Sequence, residues 1–198
     1  MAFIVKDNGG KDFKKIPPGT YVARCFQLVD LGDQLQDGKY GASVQRKARI
    51  QWEVFGEDEE GNPLTVEIDG NHVPMTIGKT YTFSISEKAG LRKDLVSWRG
   101  KEFTPEELEG FDITNILGAY CMLSIIHTDK DGKTYTNISA ITPLPSAFKT
   151  SKPEPYHDNV VFYFDEPSVE VYNSLPDWMK ETMQKSPQFA EWKSMENF

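Results

Sequence analysis

Residues 44–56, "VQRKARIQWEVFG", constrain the fold of this chain more than any other stretch. Apolar Ala48, Ile50, Trp52 and Val54 alternate with Lys47, Arg49 and Gln51. A period of two with one apolar and one cationic face describes an antiparallel strand that buries one side and keeps the other in water. A helix would scatter these residues around its axis. Trp52 shares the face of Ile50 and Val54 and is expected in the core, while Lys47 and Arg49 are expected outside.

Other segments repeat the pattern. "GTYVARCFQLVDLG" reads as a strand with Tyr21, Ala23 and Cys25 on one side and Val22, Arg24 and Phe26 on the other. "DQLQDGKYGAS" follows as a long loop. After the acidic turn "EDEEGNP", "LTVEI" and "GKTYTFSIS" read as strands. In the second of these, Tyr81 and Phe83 are expected inward, because the Thr/Ser face cannot form a core. Then the period changes. Leu91, Leu95 and Trp98 fall on one helical face, which Gly100 can end. This places Trp98 in the core despite its neighbours Arg99 and Lys101. Thr104, Pro105 and Glu107 spell a capping box for a second short helix, and Asp112 is a candidate cap for a third turn. "AYCMLSIIHT" and "KTYTNISAITPLP" read as a hairpin around "DKDG".

The expected organisation has three parts. Residues 1–17 form a polar arm that ends in a Pro-Pro-Gly turn. Residues 18–147 form a mainly β domain. Residues 148–198 form an acidic linker and tail, with a short strand at "VVFYFD" and short helices at "SLPDWMKETMQ" and "SPQFAEW". Within 18–147 the element order is strands, helix, strand, strand. That is the order of the OB-fold, a five-stranded Greek-key barrel with a helix between strands three and four. Nucleic-acid strands cross strands two and three of such a barrel, between loops that correspond to residues 31–43 and 128–133 here.

Charge narrows the function classes. The net charge is −8, but the acids are concentrated. Residues 1–55 carry nine Lys/Arg against six Asp/Glu, and residues 79–152 carry ten against nine. Residues 56–78 hold six acids and no base, and residues 153–198 hold nine acids and three bases. A cationic surface therefore has room to form on the β domain. No apolar run approaches the roughly 20 residues of a membrane span, and the opening residues lack a signal-peptide core. The expectation is a cytoplasmic protein with no membrane partner. Cys25 and Cys121 form no CxxC pair and are expected to be buried thiols, and three scattered histidines give no zinc pattern.

Enzyme signatures are poor. "GKT" at 78–80 lacks the glycine of a phosphate loop, since Val73 stands in its place. "DKDG" lacks the remaining ligands of a calcium loop. There is no GxSxG and no HExxH. No catalytic residues, cofactor or metal are expected.

Three stretches carry a family likeness. "IPPGTYVARCFQLVDLG", "LRKDLVSWRGKEFTPEELEGFDITNILG" and "YTNISAITPLP", spread over residues 13–147, resemble a family of phage-encoded single-stranded-DNA-binding proteins of OB type. "NSLPDWMKETMQKS" is similar to the end of such proteins. The resemblance implies an OB barrel, non-specific binding of single-stranded DNA in phage replication or recombination, a location in the host cytoplasm, and no catalytic residues.

Barrel geometry then selects the candidate contacts. Single-strand binding needs cations along a groove and exposed rings for the bases. Arg46, Lys47 and Arg49 on strand two, with Tyr40 just before them, form one set. Lys130, Lys133 and Tyr135 at the second loop form another, and Arg24 can join from strand one. The competing reading is a solvated sheet face with ordinary surface cations. The tail also has two readings. Trp178, Met179, Met183, Phe189 and Trp192 make an apolar stripe suited to packing or to a second subunit. Alternatively, Trp178, Trp192 and the terminal Phe198 recruit replication proteins. On that second view the chain is a protein-interaction module for a replication or host-defence partner, with incidental DNA affinity.

Overall fold

The computed structural model describes residues 14–38 and 41–195. Its strands are β1 (Gly19–Gly38), β2 (Gly41–Phe55), β3 (Thr65–Ile68), β4 (Asn71–Pro74), β5 (Thr76–Thr82), β6 (Tyr120–Lys130), β7 (Lys133–Pro143) and β8 (Val160–Phe162). Its helices are α1 (Gly90–Arg99), α2 (Pro105–Glu109), α3 (Val169–Ser174), α4 (Asp177–Met183) and α5 (Pro187–Met195), with a 3₁₀ turn at Ile113–Ile116. The protein is mainly β. Antiparallel strands pair in the order β5-β2-β1-β6-β7, and β8 joins β1 in parallel. Among the described residues no ladder joins β5 to β7. β3 and β4 form a small separate hairpin.

The alternation in β2 sorts as its sequence requires. Ala48, Ile50, Trp52 and Val54 are buried on the inner face. Ile50, Trp52 and Val54 meet Ala23, Cys25, Leu123 and Ile125 from the sheet and Leu91, Leu95 and Trp98 from α1. Burying each such leucine stabilises the fold by roughly 1.5–3 kcal/mol. Trp98 is also fixed by its indole N–H, which donates to the Tyr120 carbonyl at 3.1 Å. α1 stops at Gly100, whose φ of 66° lets its N–H return to the Val96 carbonyl. Thr104 and Glu107 form both halves of the expected capping box. Asp112 caps the 3₁₀ turn through the Thr114 N–H.

Several elements differ from their sequence expectation. Residues 31–38 and 41–43 are strand and not the expected loop. β1 and β2 stay in register out to Gly38 opposite Gly41, as a two-stranded arm. β1 is buried continuously from Ala23 to Gly32, because both faces of the sheet are covered there. A bulge at Phe26 shifts its register. Leu28 stays in the main core, while Val29 and Leu31 serve a second core on the opposite, outer face. That second core is made with Phe162, Tyr172, Leu175, Met179, Met183 and Trp192.

The stretch expected as a linker after residue 148 is in part fixed. His157 and Asn159 bind Arg24, and β8 follows directly. α3 was not expected. Phe83 is 44% exposed and not enclosed in the core, and it borders open hollows with Ala48, Ile50, Leu91 and Phe111. β5 ends at Thr82, and the Ser84 N–H turns back to the Thr82 carbonyl, so Phe83 stands at the open end of the strand.

Candidate nucleic-acid interface

The outer face of β2 and β5 carries Gln45, Lys47, Arg49 and Gln51 beside Thr82, Thr80 and Gly78. The Lys47 ammonium donates to Gln45 Oε1 at 2.8 Å and to Thr82 Oγ1 at 2.9 Å. The Arg49 guanidinium donates to Thr80 Oγ1 at 3.1 Å. Its central carbon lies 4.7 Å from the ring centre of Trp178 on α4. Gly78 makes room for it, since a Cβ there would fall 2.7 Å from Arg49 Nη2. Neither Lys47 nor Arg49 has a carboxylate within ion-pair distance among the described residues. Burial pushes the Arg49 pKa down from its ordinary value. A partly desolvated guanidinium without a counter-charge is suited to an incoming phosphate.

The other predicted cations of this region are already engaged. Arg46 alternates with Lys47 and lies on the side of Ala48. There it grips Asp30 with two bonds, Nη2 to Oδ2 at 2.5 Å and Nε to Oδ1 at 3.2 Å. The hydrogen bond to Asp30 outweighs burial and pushes its pKa up. Arg24 is buried. It donates to Glu53 Oε1 at 2.8 Å, to the His157 carbonyl at 2.9 Å and to Asn159. Both guanidinium groups, expected as free cations, are thus paired with carboxylates of the protein itself. Tyr40 lies outside the described residues.

The second predicted set comes together at the tip of the β6–β7 hairpin. Asp131 and Gly132 both adopt positive φ, 51° and 72°, the backbone of a type I′ turn. Lys130 faces Lys133 and Thr128 faces Tyr135. Alternation from Leu123 and Ile125 puts all four on the outer face. Thr128, Lys130 and Tyr135, with Asn137 and Asp131, border a hollow of about 370 Å³, and Tyr135 is 47% exposed. Like charges directly across a hairpin repel, so an anion between these lysines would relieve the pair. The register carries this tip past Gly19, whereas Arg49 pairs with Val29 further along β1. The two sets are therefore separate patches of one outer face.

Of the tail residues, Trp192 is buried against Phe162, Tyr172 and Phe189, with ring centres 5.3–5.8 Å away. It is core, as the packing reading of the apolar stripe expects. Trp178 is 46% exposed. Phe198 lies outside the described residues. Sequence reasoning missed the role of Gly78, which was visible only as part of a failed phosphate-loop motif. It also missed the junction of Trp178 with Arg49, for which the sequence holds no local signal.

Cys25 and Cys121 are buried and unpaired. Burial pushes the Cys25 thiol up to about 12 and holds Cys121 well above its ordinary value. Among the described residues no group of His, Cys, Asp and Glu is placed to hold a metal ion, and no helix is long and apolar enough to cross a membrane. No family model matches the chain, and no curated protein is significantly similar to it.

Proposed function

We propose that this protein binds single-stranded DNA with little sequence preference and coats or organises it during phage replication or recombination, in the host cytoplasm and without a catalytic step. The observation that carries this is the pair Lys47 and Arg49 on an open sheet face, free of carboxylates among the described residues and bordered by a half-exposed tryptophan. Single-strand binding uses a cationic track with aromatic platforms, and the backbone term makes it salt-dependent.

The strand order supports an OB-type reading. Taking β5 as strand three and β6 and β7 as strands four and five, the order is that of an OB barrel opened between strands three and five. Lys47 and Arg49 then occupy the face that OB-folds use for nucleic acid. Lys130, Lys133 and Tyr135 extend the surface at the loop between strands four and five. The family likeness of residues 13–147 points the same way.

A second reading is favoured by one observation. Leu35 and Val44 lie opposite each other on the β1–β2 arm, and both are exposed. Such a pair suits a protein partner, either a replication protein or a second copy of this chain.

The test is a titration of fluorescein-labelled oligo-dT followed by anisotropy at low salt, with a duplex of equal length as competitor. Saturable binding that the duplex fails to displace supports the function. Absence of binding overturns it and leaves the protein-interaction reading.

A further inference from the structure

The C-terminal helices were expected as a tail separate from the DNA surface. Their packing argues otherwise. α4 is fastened to β1 by Met179 and Met183, which are fully buried in the second core. The Gln34 side chain adds a bond to the Thr182 carbonyl at 3.0 Å. The helix is therefore held in one orientation. Trp178 precedes Met179, and one residue turns a helix by roughly 100°. That step carries the indole out of the second core and over Arg49 on the neighbouring strand. One part of the ring meets the guanidinium at 4.7 Å. The rest is open, at 46% exposure.

A large aromatic ring left in water without use is costly, at about 25 cal/mol per Å² of apolar surface. Here it stands beside Arg49 and Lys47. An indole next to unpaired cations offers a face for a base and charges for the flanking phosphates.

We propose that Trp178 is the base-stacking platform of the DNA site, so that α4 and the sheet form one composite surface. This inference rests on the single-stranded-DNA reading given above. A base lies on the open face of Trp178, and the adjoining phosphates meet Arg49 and Lys47. The stacked ligand is any nucleobase, because every base offers a π face. The region after β8 is then part of the binding site and not a dispensable extension.

The chain suits a direct optical test. It has four tryptophans, and Trp52, Trp98 and Trp192 are all buried. Intrinsic emission is measured while unlabelled oligo-dT is added, and affinity is measured independently by anisotropy of labelled oligo-dT. Stacking on Trp178 should quench emission at saturation. Trp178→Phe should remove most of that quench yet keep affinity within a few-fold, since a ring remains. Trp178→Ala should weaken binding roughly 5- to 150-fold, the range for loss of one stacked base. If the alanine variant folds poorly, the phenylalanine variant still answers the question. Intact binding with unchanged emission, and an alanine variant as tight as the parent, would overturn the inference while leaving DNA binding in place. No anisotropy change in the parent protein would overturn both.

Discussion

Glu53 is buried completely at the centre of a charged cluster, and replacing it with glutamine tests what fastens the C-terminal region to the sheet. Its carboxylate accepts from Arg24 Nη1 at 2.8 Å and from His157 Nδ1 at 2.8 Å. It also accepts from the backbone N–H groups of His157 at 3.0 Å and Tyr156 at 3.3 Å. Glu53→Gln preserves the shape but removes the charge, and it turns one acceptor into a donor among donors. Arg24 is then buried without its counter-charge. Removing one partner of a buried ion pair costs about 3–5 kcal/mol. That is a large share of a typical total of about 5–15 kcal/mol. With a urea dependence of about 2 kcal/mol per M, the unfolding midpoint should fall by roughly 1.5–2.5 M.

The pH dependence has a defined sign. Burial alone would raise the Glu53 pKa, but hydrogen bonds from His157 and Arg24 outweigh it and hold the carboxyl below its ordinary value. A depressed folded value means that the stabilisation is complete above the ordinary glutamate range. It is lost as pH falls through the folded value. The parent should therefore lose urea resistance in acid below about pH 4, and Glu53→Gln should lack that component of the slope. A combined Arg24→Met and Glu53→Met variant should recover only part of the loss, since it removes the buried charge but leaves the N–H groups of Tyr156 and His157 without their acceptor. An unchanged midpoint for Glu53→Gln would refute the reasoning and show the cluster to be solvated.

Two further outcomes follow from burial. Met179→Ala opens the second core under α4 and should cost about 2–5 kcal/mol by urea unfolding. If Trp178 stacks on DNA, the same variant should also weaken oligo-dT binding while native structure remains. Cys25 and Cys121 should not react with a thiol reagent in the native state at neutral pH, because both are buried with raised pKa values. Both should react in denaturant, and a fast native reaction would show that the main core opens.

The sequence was most informative where one face of an element meets one environment. β2 alternates cleanly, so Ile50, Trp52 and Val54 were legible as core and Lys47 and Arg49 as surface. Trp98 was legible from its spacing with Leu91 and Leu95, and the cap at Thr104 from its own residue types. Legibility failed where distant segments cover a face. Arg24 looked like a surface cation because its partners Glu53, His157 and Asn159 come from remote parts of the chain. Val29 and Leu31 could not be assigned a face from the sequence, because the bulge at Phe26 shifts the alternation and a second core lies behind β1. Arg46 was grouped with Lys47 and Arg49 by proximity in sequence, although alternation places it on the other side with Asp30. Trp178 and Trp192 looked equivalent in a stripe. The helix positions separate them into an exposed ring on Arg49 and a buried ring among Phe162, Tyr172 and Phe189.

The central claim is that the Lys47–Arg49 face holds the phosphates of a single strand. The most direct measurement is the affinity for oligo-dT across a range of salt concentrations, for the parent and for the combined Lys47→Ala and Arg49→Ala variant. Each phosphate contact contributes about 0.7 to the slope of log affinity against log salt for single strands. Losing two contacts should flatten the slope by about 1.4 and weaken binding most at low salt. A variant with the parent's slope and affinity would contradict the account and place the DNA, if it binds at all, on another face.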